Sequence, residues 1–293
     1  MLSESNSPIV ARLLRSQNSL RVWSLIITFF GDSIVPRGGE VWLGTLSQVM
    51  RGFGIDEQAV RAAVSRLAKD GWLARARLGR NSYYRLLENG NREFLVATDR
   101  IYGPGAPSFD GRVTVITGRR LDREPPKAND FLVKHGWGRM APNVHCAFGK
   151  RTDGGALPEG FIRIAGDISV ADAKDLIGTA WDLATIDQAY RDFLQAFEIL
   201  GSAGELAADP FDALLLRTLL VHAFRRVVLR DPMLPVDLMA ANWPGVSARA
   251  RAAALYRALS PAAELWLDDN AVDRNGGVPA SVTAMPGRFA GQV

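Results

Sequence analysis

A single cysteine, Cys146, in 293 residues excludes an intrachain disulfide and any zinc site made of thiolates, and it makes a reducing compartment the natural home. Histidines number only three, His135, His145 and His222. His145 and Cys146 are neighbours in a strand-like stretch, so their side chains point to opposite faces and do not readily share a metal, and His135 stands alone. There is no Gly-x-Ser-x-Gly elbow, and His222 lies among arginines rather than beside a nucleophile, which removes the usual hydrolase arrangement. No metal, cofactor or enzymatic activity is implied. The longest largely apolar run, Val22 to Phe30, is far too short to cross a bilayer and has no signal-peptide context, so a cytoplasmic protein without membrane contact is expected. There is no internal repeat.

Hydrophobic content of 47% and charged content of 23% are ordinary for a globular chain, and 293 residues give room for two or three domains. The net charge of +4 is modest but uneven. Residues 1–92 hold 13 Lys and Arg against 7 Asp and Glu, a local +6 that leaves −2 elsewhere. A basic amino-terminal third on a slightly acidic remainder suits a polyanion-binding module joined to something else; solvated surface charge is the plainer alternative.

The most informative stretch is Gly54 to Leu86. Asp56 is placed to cap a helix that ends before Gly71, with Val60, Ala63, Val64 and Leu67 on one side and Gln58, Arg61, Ala62, Ser65 and Lys69 on the other. Trp72 to Arg77 and Ser82 to Leu86 then read as a hairpin turning through Leu78-Gly79-Arg80-Asn81, and it carries Arg75, Arg77 and Arg80. Such a helix followed by an arginine-tipped hairpin resembles a winged helix-turn-helix. Gln58, Arg61, Ser65 and Lys69 would face the major groove and the three hairpin arginines the DNA backbone or minor groove. An ordinary amphipathic helix with a solvated basic face remains the alternative reading.

In chain order, Arg12 and Arg15 add charge to a polar start, Leu20–Phe30 reads as an apolar helix ended by Gly31, and a second helix covers Leu43–Met50. Asn89–Asp99 reads as a helix leading to a Gly- and Pro-rich boundary at Tyr102–Pro107. Beyond it come strands at Arg112–Thr117, Val144–Phe148 and Phe161–Ala165, with a short helix at Lys127–Lys134, a pattern that suggests a ferredoxin-like unit. Further helices are expected from Ile186 to Leu200, Phe211 to Leu229, Pro235 to Ala240 and Ser247 to Leu259, with Ser247 as a cap. The fold class is therefore α+β: an amino-terminal winged helix over 18–100, a ferredoxin-like domain over 108–180, a helical domain over 181–268 and a loose tail over 269–293.

Within Phe211–Arg230 the residues Thr218, His222, Arg225, Arg226 and Arg230 share one arc of an otherwise apolar helix. Cations there must face solvent, an acidic partner such as Asp231 or Asp237, or an anionic ligand; a structural network and a ligand site are both open.

The same segment carries a more specific resemblance: His222-Ala-Phe224-Arg225-Arg226, Leu229-Arg230-Asp231-Pro232-Met-Leu234-Pro235, Trp243-Pro244-Gly245 and Ala248-Arg249. With Arg37-Gly38-Gly39-Glu40-Val41-Trp42-Leu43-Gly44, Val60-Arg61-Ala-Ala-Val64-Ser-Arg66-Leu67 and Gly71-Trp72-Leu73, these stretches resemble the PaaX family, repressors of phenylacetic acid catabolism. The resemblance implies a dimeric bacterial repressor that binds double-stranded operator DNA and is released by an acyl-CoA thioester such as phenylacetyl-CoA. On that reading His222, Arg225, Arg226, Arg230 and Trp243 line or support an effector pocket between the central and carboxyl-terminal domains. It also implies a central domain related in fold to a CRISPR-associated nuclease. A metal-dependent nuclease or other hydrolase in that domain is the alternative function. Thr117-Gly118 stands where such a nuclease needs a carboxylate, which argues for a structural use of the fold.

Overall fold

Apolar residues three and four apart dictate the first helices: α1 (Pro8–Ser16) buries Val10 and Leu13, and α2 (Val22–Phe29) buries Leu25, Ile26 and Phe29. The computed structural model describes residues 7–16, 20–87, 97–118, 128–149, 160–201, 209–277 and 288–289. It divides into two compact units, one of Met1–Pro104, Asp192–Arg226 and Ala248–Val293, the other of Gly105–Arg191 and Val227–Ser247.

In the first unit Gly31 does not end the helix. The chain continues as a π-turn over Phe30–Ile34 and a 3₁₀ turn over Val35–Arg37, because Asp32 and Ser33 are drawn into the core by ionic partners that local sequence cannot reveal. Next come strand β1 (Glu40–Trp42) and α3 (Leu43–Gly52). Gly52 at the end of α3 allows close packing, since a Cβ there would lie 2.8 Å from Phe211 and Leu215 side-chain atoms and force them to shift. Helix α4 (Glu57–Lys69) is capped by Asp56, whose carboxylate accepts the Ala59 N–H at 2.8 Å, and Gly71 at φ +75° turns the chain out of it. Strands β2 (Leu73–Leu78) and β3 (Asn81–Leu86) follow, and Leu78 pairs with Asn81. This leaves a two-residue turn in which Gly79, at φ +59°, takes the glycine place of a hairpin turn. Sheet order is β1-β3-β2, all antiparallel.

Residues 97–102 form the described part of α5; the expected helix start at 89–96 lies outside the described residues. The same unit holds the second half of α8 (Ala184–Glu198) and most of α9 (Pro210–Val228) and α10 (Pro244–Asn270). Helix α10 starts with Pro244 in its first turn, not with a cap at Ser247, because proline's fixed φ and missing N–H suit that place. The chain after Asp269 is not loose where it is described. Val272 O accepts the Trp42 N–H of the free β1 edge at 2.7 Å, Arg274 pairs with Glu40 at 2.7 Å, and Phe289 is 2% exposed. A composition of Gly, Ala, Pro and Ser does not reveal that its few large residues have waiting partners.

The second unit is built on a four-stranded antiparallel sheet of β4 (Arg112–Gly118), β5 (Gly138–Ala141), β6 (Val144–Phe148) and β7 (Phe161–Asp167), in the order β5-β6-β4-β7. Helix α6 (Ala128–Lys134) links β4 to β5, and α7 (Val170–Ala180), capped by Ser169, follows β7. One sheet face packs Ile116, Ala147 and Phe161 against Ala128, Leu132 and Trp137. The other meets α7 and the 3₁₀ turn Val236–Leu238 through a cluster that includes Ala173, Ile177, Phe148, Leu234 and Leu238. The expected helix at Pro235–Ala240 is thus one turn, and β5 joins the strands anticipated from alternation.

Candidate nucleic-acid interface and ligand site

Burial of Val60, Val64 and Leu67 fixes the orientation of α4, so its opposite side is left to solvent. Gln58, Arg61, Ala62, Ser65, Arg66 and Lys69 are all exposed there. Arg61 is held by Glu57 one turn back, with Nε at 3.1 Å from Oε1, and Arg66 lies 3.6 Å from Asp70. Exposed i,i+4 pairs of this kind contribute only about 0.3–0.5 kcal/mol, so an approaching phosphate or base edge can displace them. Asp56 spends its charge on the helix start.

Arg75 and Arg77 stand on the sheet face that also carries Val41, Leu73 and Tyr84, across from buried Tyr84 and Ser82, and are themselves exposed. Arg75 donates to Ser82 Oγ at 2.9 Å and Arg80 sits in the exposed turn. The seven residues singled out from the sequence for DNA are thus all exposed except for their local bonds. Sequence reasoning missed Arg66 and Arg85. Arg66 falls at the margin of the polar arc, and Arg85 alternates onto the opposite sheet face, across from Ala74 and Glu40.

The five residues singled out for a ligand are distributed differently. His222 is 1% exposed on α9, its Nδ1 2.9 Å from Thr28 Oγ1, while Thr28 donates to Ser24 O. The set is satisfied when neutral His222 donates from Nδ1 to Thr28. Arg225, half-buried, donates through Nη2 to Ser24 Oγ at 2.7 Å and to Ser24 O at 3.3 Å. These two basic residues of the arc therefore meet neutral oxygens of α2, not the carboxylates of Asp231 or Asp237. Arg226 is half-buried and Arg230 is exposed. Asp231 accepts from Tyr190 Oη and Met233 N, each at 2.7 Å, and Asp237 accepts from Phe109 N. Trp243, half-buried, meets Tyr190 edge-to-face at 6.0 Å and covers Gly245, where a Cβ would lie 2.5 Å from the indole nitrogen. His222, Arg225 and Arg226 belong to the first unit, Arg230 and Trp243 to the second.

Burial, with Arg225 and Arg226 nearby, lowers the His222 pKa to about 3, and burial lowers that of Arg225 to about 10. Below the ordinary histidine value near 6.5 the unfolded chain takes up a proton that the folded chain refuses until near pH 3. Stability from this group is therefore complete above about pH 6.5 and falls by up to roughly 1.4 kcal/mol per pH unit below it. His222→Gln is expected to flatten the fall between about pH 6.5 and pH 4 in denaturant titrations. An unaltered slope would assign it to other groups.

Sequence reasoning missed a buried ionic network in the first unit. Asp32, with no exposed side-chain surface, lies 3.0 Å from Arg217 Nε and 2.8 Å from Arg288 Nη1, and accepts from Tyr102 and Tyr256 hydroxyls at 2.8 and 3.1 Å. Arg217 also meets Glu264 at 2.5 Å, and Arg37, 1% exposed, joins Glu264 and Asp268 at 2.5 and 2.6 Å. Burial pushes the Asp32 pKa up, but the two guanidinium groups and two hydroxyls more than reverse this and hold it below the usual carboxylate value. The two sequence signals are a carboxylate inside a dense apolar stretch and Arg217 among leucines; neither names its partner.

Both sites lie in segments shared with known proteins. Residues 21–90 match the family described as PaaX-like protein, and residues 181–269 match its C-terminal domain. The chain is 33% identical over 285 residues to the transcriptional repressor PaaX of Escherichia coli (strain K12), covering 92% of this chain and 90% of that one. Among solved structures it is similar to an uncharacterised protein, Rv0674, of Mycobacterium tuberculosis, with a TM-score of 0.57 and 20% identity over 83% of this chain and 97% of that one, a likeness of fold. Extended identity to that repressor, together with both domain matches, shows that the chain belongs to the PaaX family.

Proposed function

We propose that the chain is a DNA-binding transcriptional repressor whose first unit carries a winged helix-turn-helix. On this reading α2 and α3 support α4 as the reading helix, and β2 and β3 form the wing. The observation that carries it is the exposed arc of Gln58, Arg61, Ser65 and Lys69 beside the arginines of the β2–β3 hairpin, in a chain similar to a repressor. Arg and Gln can grip guanine and adenine edges with two bonds, and Ser65 is short enough to let the helix approach. The experiment is duplex binding across a salt series. Steep loss of affinity with salt is expected, and a flat response would sink the reading.

A homodimer accompanies this proposal, since one reading helix has a small footprint and two-fold pairing reads two half-sites. We assign its contact to the second unit. Ile162 and Ile164 of edge strand β7 are 47% and 57% exposed and share a sheet face with half-buried Val113 and Val115. Ile164→Arg should shift the chain from dimer to monomer in light scattering, and a wild-type monomer at DNA-binding concentrations would end the proposal.

The effector is proposed to be an acyl-CoA thioester, phenylacetyl-CoA being the family's example, that releases the repressor from an aromatic-acid operon. On this proposal Arg226 and Arg230 supply phosphate contacts and Trp243 an apolar wall, with His222 and Arg225 in supporting roles. Titration calorimetry should show about tenfold or greater loss of acyl-CoA affinity in Arg226→Ala and Arg230→Ala. Unaltered affinity in both would take these arginines out of the site.

A further inference from the structure

Arg288 and Phe289 occupy a socket of the first unit as a bound peptide would. Arg288 Nη1 donates to Asp32 Oδ1 at 2.8 Å, to Asp32 O at 2.9 Å and to Tyr256 Oη at 2.9 Å, and its Nη2 donates to Gly31 O at 3.1 Å. The guanidinium carbon lies 4.1 Å from the centre of the Tyr102 ring. Phe289, 2% exposed, meets Tyr102 and Tyr256 at 5.4 Å each and Phe224 at 6.2 Å, and its N–H donates to Tyr102 O at 2.7 Å.

The socket is specific in three ways. The two main-chain acceptors of the Arg288 guanidinium, Gly31 O and Asp32 O, belong to the π-turn after α2, where the helical bonding pattern shifts and carbonyls become available. Its charge is matched, because Asp32, Glu264 and Asp268 face Arg37, Arg217 and Arg288; without Arg288 the set keeps one negative charge too many. Finally, Phe289 sits at φ +57°, a left-handed conformation that a bulky residue adopts only when its surroundings impose it. A segment held by one charged fork, one buried ring and one main-chain bond has the anchor-and-pocket form of peptide recognition.

We infer that the pocket formed by the π-turn, Tyr102, Tyr256 and Phe224 is a binding site for an arginyl-aromatic peptide segment, and that its resident ligand is the chain's own Arg288–Phe289. Occupancy of this site closes the charge balance around Asp32, and so ties the carboxyl-terminal segment to the end of α2. Removal of the segment leaves a buried carboxylate with one fewer cation, which opens the π-turn to water. None of these contacts involves the proposed DNA face, so the site can be measured without DNA.

The test uses the full chain. Arg288→Ala should lower the thermal midpoint by roughly 5–10 °C and speed hydrogen exchange at residues 31–33. A capped peptide Pro-Gly-Arg-Phe-Ala-Gly, copied from residues 286–291, should bind this variant one-to-one in calorimetry and reverse at least half of the fall in midpoint. The same peptide with alanine for arginine should do neither, and the wild-type chain, whose socket is filled, should not bind it. An unaltered midpoint in Arg288→Ala overturns the inference, as does a variant indifferent to the peptide. If Arg288→Ala does not fold alone, the peptide present during refolding should recover folded chain, and failure to do so also counts against the site.

Discussion

Arg217→Met is expected to lower unfolding stability by about 3–5 kcal/mol at neutral pH, the range for breaking a buried ion pair from one side. Both Arg217 and Asp32 are inaccessible, so no water can take over from the missing guanidinium, and methionine fills the volume without offering charge. Arg288 stays beside Asp32, but its charge cannot also balance Glu264, which Arg217 meets through Nη1. Asp32→Asn combined with Arg217→Met restores the balance of charges, so the double variant should be clearly less destabilised than the two single effects added together. The pH dependence has a definite sign. Asp32 is held below its ordinary value in the folded chain, so the stability it supplies is complete above about pH 3.9 and falls away as pH drops through its folded value. In Arg217→Met the carboxyl rises, and the gap between variant and wild type should narrow in acid. Equal gaps at about pH 7 and pH 4 in guanidinium titrations, or strictly additive single effects, would mean the pair is not coupled as the distances indicate.

Local periodicity made one part of this molecule legible and left the rest dark for a physical reason. Helix α4, its Asp56 cap, the Gly71 turn and the β2–β3 hairpin depend on neighbours within a few residues, and all of them are visible in spacing. Strands β1 and β5 are three and four residues long, too short for alternation to register, and β1 pairs with a segment far from it in the chain. Asp32 is joined to residues between 70 and 256 positions away, and Gly31, a plain stop signal locally, is overruled by that network. On α9 the helical arc runs through Thr218, His222 and Arg225; Arg217, one step round, is the more deeply buried cation. Which side of an apolar helix is polar can be read from sequence, whereas which of its cations has a carboxylate waiting cannot. The described part of the tail shows the same limit: composition does not announce that Arg288 and Phe289 have buried partners.

For the proposed DNA interface the largest effect is expected from removing the wing charge. Arg75, Arg77 and Arg80 are exposed, and the bond from Arg75 goes to a neutral group, the Ser82 hydroxyl. Their replacement by alanine therefore leaves no buried charge unpaired, and folding stability should stay within about 0.5 kcal/mol. Each contact to a phosphate releases condensed counterions, so the slope of log affinity against log salt should become shallower by about 0.9 for every phosphate no longer neutralised. Removing all three arginines should weaken binding more at low salt than at high salt, and equally for operator and unrelated duplex. Arg61→Ala should behave in the opposite manner. Breaking its exposed pair with Glu57 costs the fold little, but if its fork reads a base, affinity for operator falls by about 1–3 kcal/mol, roughly 5- to 150-fold, with the salt slope changed by no more than one phosphate's share. The two variants thus separate positioning from reading on the same protein. Should the triple variant keep the full salt slope while Arg61→Ala weakens operator and random duplex alike, the hairpin is not a wing, α4 is not the reading helix, and the basic surface of the first unit is only solvated charge.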